Sequence, residues 1–234
     1  MRTVGLIGGM SWESSLTYYQ RINTLVKERL GGLHSARLVL YSVDFHTIEA
    51  LQRRGDWDEA GRQLTDAGRA LRAAGAECLL ICTNTMHKVA DAVETGAGVP
   101  LLHIADTTGD AIRAAGLQRI GLLGTRFTME EAFYRDRLRE RHGIATTIPD
   151  AADRARVHAI IYDELCLGRL LDSSRAELLA IVDRLAAQGA QGVVLGCTEL
   201  PLLLQPGDCT LPSFDTTELH ACAAVAFSLD QVCA

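Results

Sequence analysis

The chain has 234 residues, 48% of them hydrophobic and 22% charged, enough to bury the core of one large globular domain or two small ones. Its formal net charge of −6 offers no basic stripe to neutralise phosphates, so nucleic acid is not an expected partner. Seven cysteines without a CxxC pair fit a reducing cytoplasm rather than a disulfide framework or zinc knuckle, and no apolar run approaches the ~18 residues of a membrane span.

In chain order, "VGLIGGM" after Met1-Arg2-Thr3 is too short for a secretion signal, and "TVGLIG" reads as a first strand. "SWESSLTYYQRINTLVKERLGG" is a helix that starts near Ser11 and stops at a glycine pair. "ARLVLYSVDF" is a second strand, and "DWDEAGRQLTDAGRALRAAG" a helix ending at Gly75. "AECLLIC" is a third strand, with a helix expected at once over "TNTMHKVADAVETG". "VPLLHIA" gives a short fourth strand and "DTTGDAIRAAG" its helix, with Asp106 as the expected N-cap. Arg135, Arg137, Arg139 and Arg141 lie among acidic residues and read as a solvated helix face. Strands alternating with helices define the α/β class with mainly parallel sheets.

The chain then repeats itself. "VGLIGG" returns as "IGLLGT", "AGAECLLICT" as "QGAQGVVLGCT" with one residue more, and "VPLLHIADTT" as the shorter "LPSFDTT". Val4 to Cys82 is 78 positions and Ile120 to Cys197 is 77. Two tandem α/β domains related by a pseudo-two-fold axis are expected, 1–104 with 215–234 forming one and 105–214 the other. Ligands of open α/β sheets bind beyond the carboxyl ends of the strands. The expected active site is therefore an inter-domain cleft, with Cys82 and Cys197 on opposite sides.

"GLIGGM" does not match G-x-G-x-x-G, since Gly5, Gly8 and Gly9 are wrongly spaced and Trp12 is bulky; a tight turn with N–H groups toward an anion or the substrate is the better account. His87 and His103 read as structural or substrate-contacting rather than as metal ligands, and no metal is expected. His34, His46, His142, His158 and His220 default to surface or satisfied core positions, and Cys78, Cys166, Cys209, Cys222 and Cys233 to small apolar fillers.

Cys82 and Cys197 differ from the other cysteines in having each other as counterparts. Each precedes an expected helix, "TNTMHKV" or "TELPLLL", whose dipole would lower a thiol from its usual ~8.5. A thiolate on one face of a carbon and a thiol on the other can invert a stereocentre, one removing the α-proton and the other supplying a proton. Thr83, Asn84, Thr85, Thr198 and the turn after Gly9 offer groups to stabilise the developing carbanion. No Ser-His-Asp order supports hydrolysis, and no lysine is placed to hold pyridoxal phosphate.

"CTNTMHK" and "GCTE" in two α/β halves resemble the cofactor-independent aspartate/glutamate racemase family, and "GLIGGMSWESS" and "SVDFHTIEALQRRGDWD" its bacterial broad-specificity amino-acid racemase branch. The resemblance covers essentially the whole chain. It implies Cys82 and Cys197 as the acid/base pair, no cofactor, an amino-acid substrate, a homodimer, and a C-terminal helix packed on the first domain. It also implies a substrate pocket of Met10, Ser11, Gln52, Thr83, Asn84, Thr85, Thr125, Thr198 and Glu199. Members strict for acidic substrates carry a lysine in a motif resembling "ELKxG"; here "ELCLG" sets Cys166 in that place. With Gln52, this implies a neutral polar, homoserine-like preference, with aspartate and glutamate weaker. Hydantoin racemases, arylmalonate decarboxylases and a non-catalytic binding module on the same fold are the competing readings, although the decarboxylases need only one of the two cysteines.

Overall fold

The computed structural model describes residues 1–230, so the reading of Cys233 lies outside the described residues. By their internal contacts they form two units, Met1–Ile104 with the chain from His220 onward, and Ala105–Leu219.

In the first unit, β1 (Val4–Gly8) lies between β2 (Leu38–Ser42) and β3 (Cys78–Ile81), all parallel. β1 is buried along its whole length, as expected of a central parallel strand covered on both faces. Helix α1 (Trp12–Leu30) is capped by Ser11 and buries Tyr18, Ile22, Leu25 and Val26, one face of the 3.6-residue period. Gly9 makes the turn between β1 and α1 possible. Its φ is +92°, and a Cβ there would sit 2.2 Å from the Val43 carbonyl oxygen.

Three local expectations change. The second strand ends at Ser42, because Asp44 accepts the His46 N–H and caps a helix that the sequence reading missed, α2 (Phe45–Arg54). Helix α3 (Trp57–Ala73) follows as expected. After β3 the chain makes a 3-10 turn over Thr85–Val89 before α4 (Ala90–Ala97), so no regular helix starts at Cys82. The fourth strand shrinks to a single parallel bridge between Leu79 and Leu101, since α5 (Ile104–Ala114) already begins at Ile104.

Asp106 lies in the first turn of α5 and is not its cap. Its carboxylate accepts two hydrogen bonds from Arg137, at 2.6 and 2.7 Å. Burial opposes ionisation there, but Arg137, His142 and Arg141 together hold Asp106 below its usual carboxylate range. Arg137 thus turns inward, while Arg139 and Arg141 remain on the solvated face.

The second unit repeats the sheet with β4 (Arg119–Gly124) at its centre, in the order β5 (Ala145–Thr147), β4, β6 (Gly192–Gly196), β7 (Ser213–Asp215), again all parallel. Helices α6 (Arg126–Glu130), α7 (Ala132–His142), α8 (Ala151–Ala159) and α9 (Asp172–Ala187) lie between these strands in the chain. Its core joins Leu123, Val157, Ile160, Leu178, Ile181, Leu185, Val193 and Leu195. Pro201 lies in the first turn of the four-residue α10 (Leu200–Leu203), so the helix expected after Cys197 is only a turn. Helix α11 (Thr216–Ser228) follows β7 directly, and its Ala221, Ala224 and Val225 pack with Val4, Tyr18, Ile22 and Cys82 in the core of the first unit. Among the described residues no helix is long and apolar enough to cross a membrane.

Candidate active site

In the first unit, Cys82 follows the last residue of β3, and its N–H donates to the Ile7 carbonyl at 2.9 Å. Ser14 Oγ lies 3.4 Å from the Cys82 carbonyl and 3.1 Å from that of Ser11. The turn after Gly9 is less open to an anion than its sequence suggests, because the Gly9 N–H donates to Ser15 Oγ at 2.7 Å and the Ser14 N–H to Ser11 Oγ. Met10 is part of the core, with Ile7, Ile48 and Met86.

The loop past Cys82 is built from polar residues that are almost all buried: Asn84, Thr85 and His87, with Thr83 half-buried. His87 ties it down. The Ile104 N–H donates to Nε2 of His87, so the opposite nitrogen carries the proton and donates to the Thr83 carbonyl at 2.8 Å. His103 packs on this ring with centroids 4.6 Å apart, and the His220 ring lies 5.6 Å from it. His220 is equally constrained, its Nε2–H donating to the Leu102 carbonyl at 2.7 Å and Nδ1 accepting from the Tyr18 hydroxyl at 2.9 Å. Burial depresses His220 to about 4, so the ring is neutral. The sequence reads His87 and His103 in structural or substrate-contacting roles, but His220 lies too far along the chain for its part in the network to be read there. Among the described residues no group of His, Cys, Asp and Glu could hold a metal ion.

Gln52, near the end of α2, points its carboxamide NH2 at the Met86 sulfur, 3.1 Å away. Its Oε1 is fully buried and has no hydrogen-bond partner among the described residues.

In the second unit, Cys197 follows β6, and Thr198 and Glu199 complete the turn into α10. The Cys197 thiol donates to Glu199 Oε2 at 2.9 Å, and the Thr198 hydroxyl donates to the same oxygen at 2.8 Å. Glu199 thus takes a role toward the thiol beyond the substrate contact expected of it; a carboxylate two residues past a strand-end cysteine was the available signal. Thr125 is nearly buried and caps α6, accepting the Thr128 N–H. A π-helical turn (Ile160–Glu164) leads into the 3-10 turn Leu165–Leu167, where Cys166 packs against the core cluster that contains Cys197. The first unit therefore holds Met10, Ser11, Gln52 and Cys82–Thr85, and the second holds Thr125, Cys166 and Cys197–Glu199.

Both thiols are held protonated, contrary to the lowering expected from helix dipoles. Burial pushes Cys82 far up, and burial and Glu199 together do the same to Cys197. The short turns after the two strands align too few peptide dipoles to offset desolvation.

This pairing of a strand-end cysteine with buried hydroxyls in each of two parallel-sheet units places the chain among two-domain α/β racemase folds. The Asp/Glu/Hydantoin racemase family model matches residues 7–224, and the chain belongs to that family. A crystal structure from Yersinia pestis, proposed to be an Asp/Glu racemase, is 55% identical with a TM-score of 0.92, over 98% of this chain and 100% of that one. An aspartate racemase homologue from Pyrococcus horikoshii OT3 is 32% identical with a TM-score of 0.85, again over 98% and 100%. The fold also resembles that of a mutant arylmalonate decarboxylase, at 14% identity and a TM-score of 0.59 over 98% and 94% of the two chains.

Proposed function

We propose that the protein is an amino-acid racemase that needs no pyridoxal phosphate, with Cys82 and Cys197 acting on the two faces of the substrate's α-carbon. The observation that carries this reading is the duplicated strand-end cysteine, once in each unit, each buried and followed directly by a threonine. One sulfur, as thiolate, takes the α-proton; the other delivers a proton to the opposite face. Both sulfurs are desolvated, so a thiolate formed there is a stronger base than in water. Amides and hydroxyls of Thr83, Asn84, Thr85 and Thr198 are the groups proposed to stabilise the carbanion and its carboxylate.

We propose broad specificity with a preference for neutral polar, homoserine-like side chains. Gln52 supports this: its amide NH2 faces a sulfur that only accepts, leaving a buried oxygen that calls for a donor. A distal hydroxyl satisfies that oxygen, whereas a distal carboxylate does not. Cys166, a neutral residue, adds no charge to hold a carboxylate. A homodimer and a cytoplasmic setting belong to the same proposal.

Proton NMR in D2O with single L-amino acids (homoserine, methionine, aspartate, glutamate, lysine) and no added pyridoxal phosphate tests it. Loss of the α-proton signal with appearance of the D-enantiomer is expected, reduced at least ~100-fold by either Cys82→Ser or Cys197→Ser. Full activity in either variant overturns the two-thiol mechanism, and aspartate or glutamate as best substrate by a wide margin overturns the proposed specificity.

A further inference from the structure

The two thiols have unlike surroundings. At Cys197 the thiol donates to the buried carboxylate of Glu199, 2.9 Å away, and the same carboxylate oxygen is also fixed by Thr198. Glu199 is 6% exposed, so water does little to screen it. At Cys82 the opposition to charge comes from burial. Its side chain lies in the apolar cluster that contains Val4, Tyr18 and Leu80, and Ser14 reaches only its backbone carbonyl.

We propose that Glu199 is a positioning residue that keeps the proton on Cys197, so that Cys197 rests as the acid and Cys82 is the thiol that ionises to become the base. This rests on the racemase reading above. Ionising Cys197 would set a second negative charge against the Glu199 carboxylate in a site poor in water, whereas ionising Cys82 has only desolvation to overcome. The ionisation that starts turnover therefore falls to Cys82. The Cys82 thiolate takes the α-proton, and the C–H electron pair stays on the substrate as the carbanion. Cys197 then gives its proton to the opposite face, and the S–H pair stays on sulfur. Turnover in this direction leaves Cys82 as thiol and Cys197 as thiolate, the arrangement that Glu199 opposes. Solvent returns a proton to Cys197 and removes one from Cys82, with no net change.

The test is the pH profile of alkylation by iodoacetamide, read separately at Cys82 and Cys197 by peptide mass spectrometry, on full-length wild type and Glu199→Gln. In the wild type the Cys197 midpoint is expected at least one pH unit above that of Cys82. Glu199→Gln, which keeps the shape and removes the charge, is expected to lower the Cys197 midpoint by at least one unit and leave that of Cys82 in place. A Cys197 midpoint at or below that of Cys82 in the wild type, or one unmoved by the substitution, overturns the proposal. Should Glu199→Gln fail to fold, the wild-type comparison decides alone. The α-proton exchange experiment is run beside it. Absence of exchange with every amino acid overturns the racemase reading, and the alkylation midpoints still report whether Glu199 governs Cys197.

Discussion

Gly196 of the second sheet occupies the register position that Cys82 occupies in the first. One step beyond the pair Ile7 and Ile81 lies Cys82; one step beyond Leu123 and Leu195 lies Gly196, paired with Gly124. A Cβ at Gly196 would stand 2.8 Å from the Leu123 carbonyl oxygen and 3.0 Å from a Leu122 methyl. The cysteine of the second half comes one residue later, which locates the extra residue in "QGAQGVVLGCT". Gly196→Ala is expected to destabilise by about 1–3 kcal/mol through overpacking, measured as a lower urea midpoint. An unchanged midpoint would show that β4 and β6 can separate at this point without cost.

His220 makes stability depend on pH. Its folded value of about 4 lies below the ~6.5 of an unfolded histidine, so between these values the unfolded chain binds more protons. The contribution is complete above pH 6.5 and is lost as pH falls toward 4, by roughly 3 kcal/mol in all. Urea unfolding at pH 7, 6 and 5 should show a steeper decline for the wild type than for His220→Asn. Parallel declines would rule this histidine out as the source.

His87 holds the carbonyl of Thr83, the residue after Cys82, and accepts from the Ile104 N–H. His87→Phe removes both bonds and strands two backbone groups, a cost of about 1–3 kcal/mol. With the Cys82 loop loosened, kcat should fall at least ~10-fold while KM changes less. A raised KM with kcat unchanged would point to a binding role instead.

Gln52→Leu removes the buried acceptor while nearly keeping its volume. The ratio of kcat/KM for homoserine to that for methionine should drop about 10-fold, the worth of one hydrogen bond. An unchanged ratio would mean that Gln52 does not read the substrate side chain.

Much of this protein can be read from local pattern. The buried strands Val4–Gly8, Arg119–Gly124 and Gly192–Gly196, the helix capped at Ser11 and the duplicated Cys-Thr all follow from apolar runs, turn residues and caps within a few positions of one another. Local pattern also misled. Asp106 looked like a cap until Arg137, 31 positions away, took its carboxylate; the helix expected at Cys82 becomes regular only at Ala90, and the one expected at Cys197 shortens to a turn.

The sequence by itself determined the α/β class, the internal repeat and which two thiols to compare, because strand period and motif spacing are properties of neighbouring residues. Only the tertiary structure decided that Tyr18 meets His220, 202 positions away, that Gln52 turns its amide to Met86, and that burial keeps both cysteines protonated. Hydrogen-bond partners and desolvation depend on what folding brings alongside a side chain, and that cannot be read along the chain.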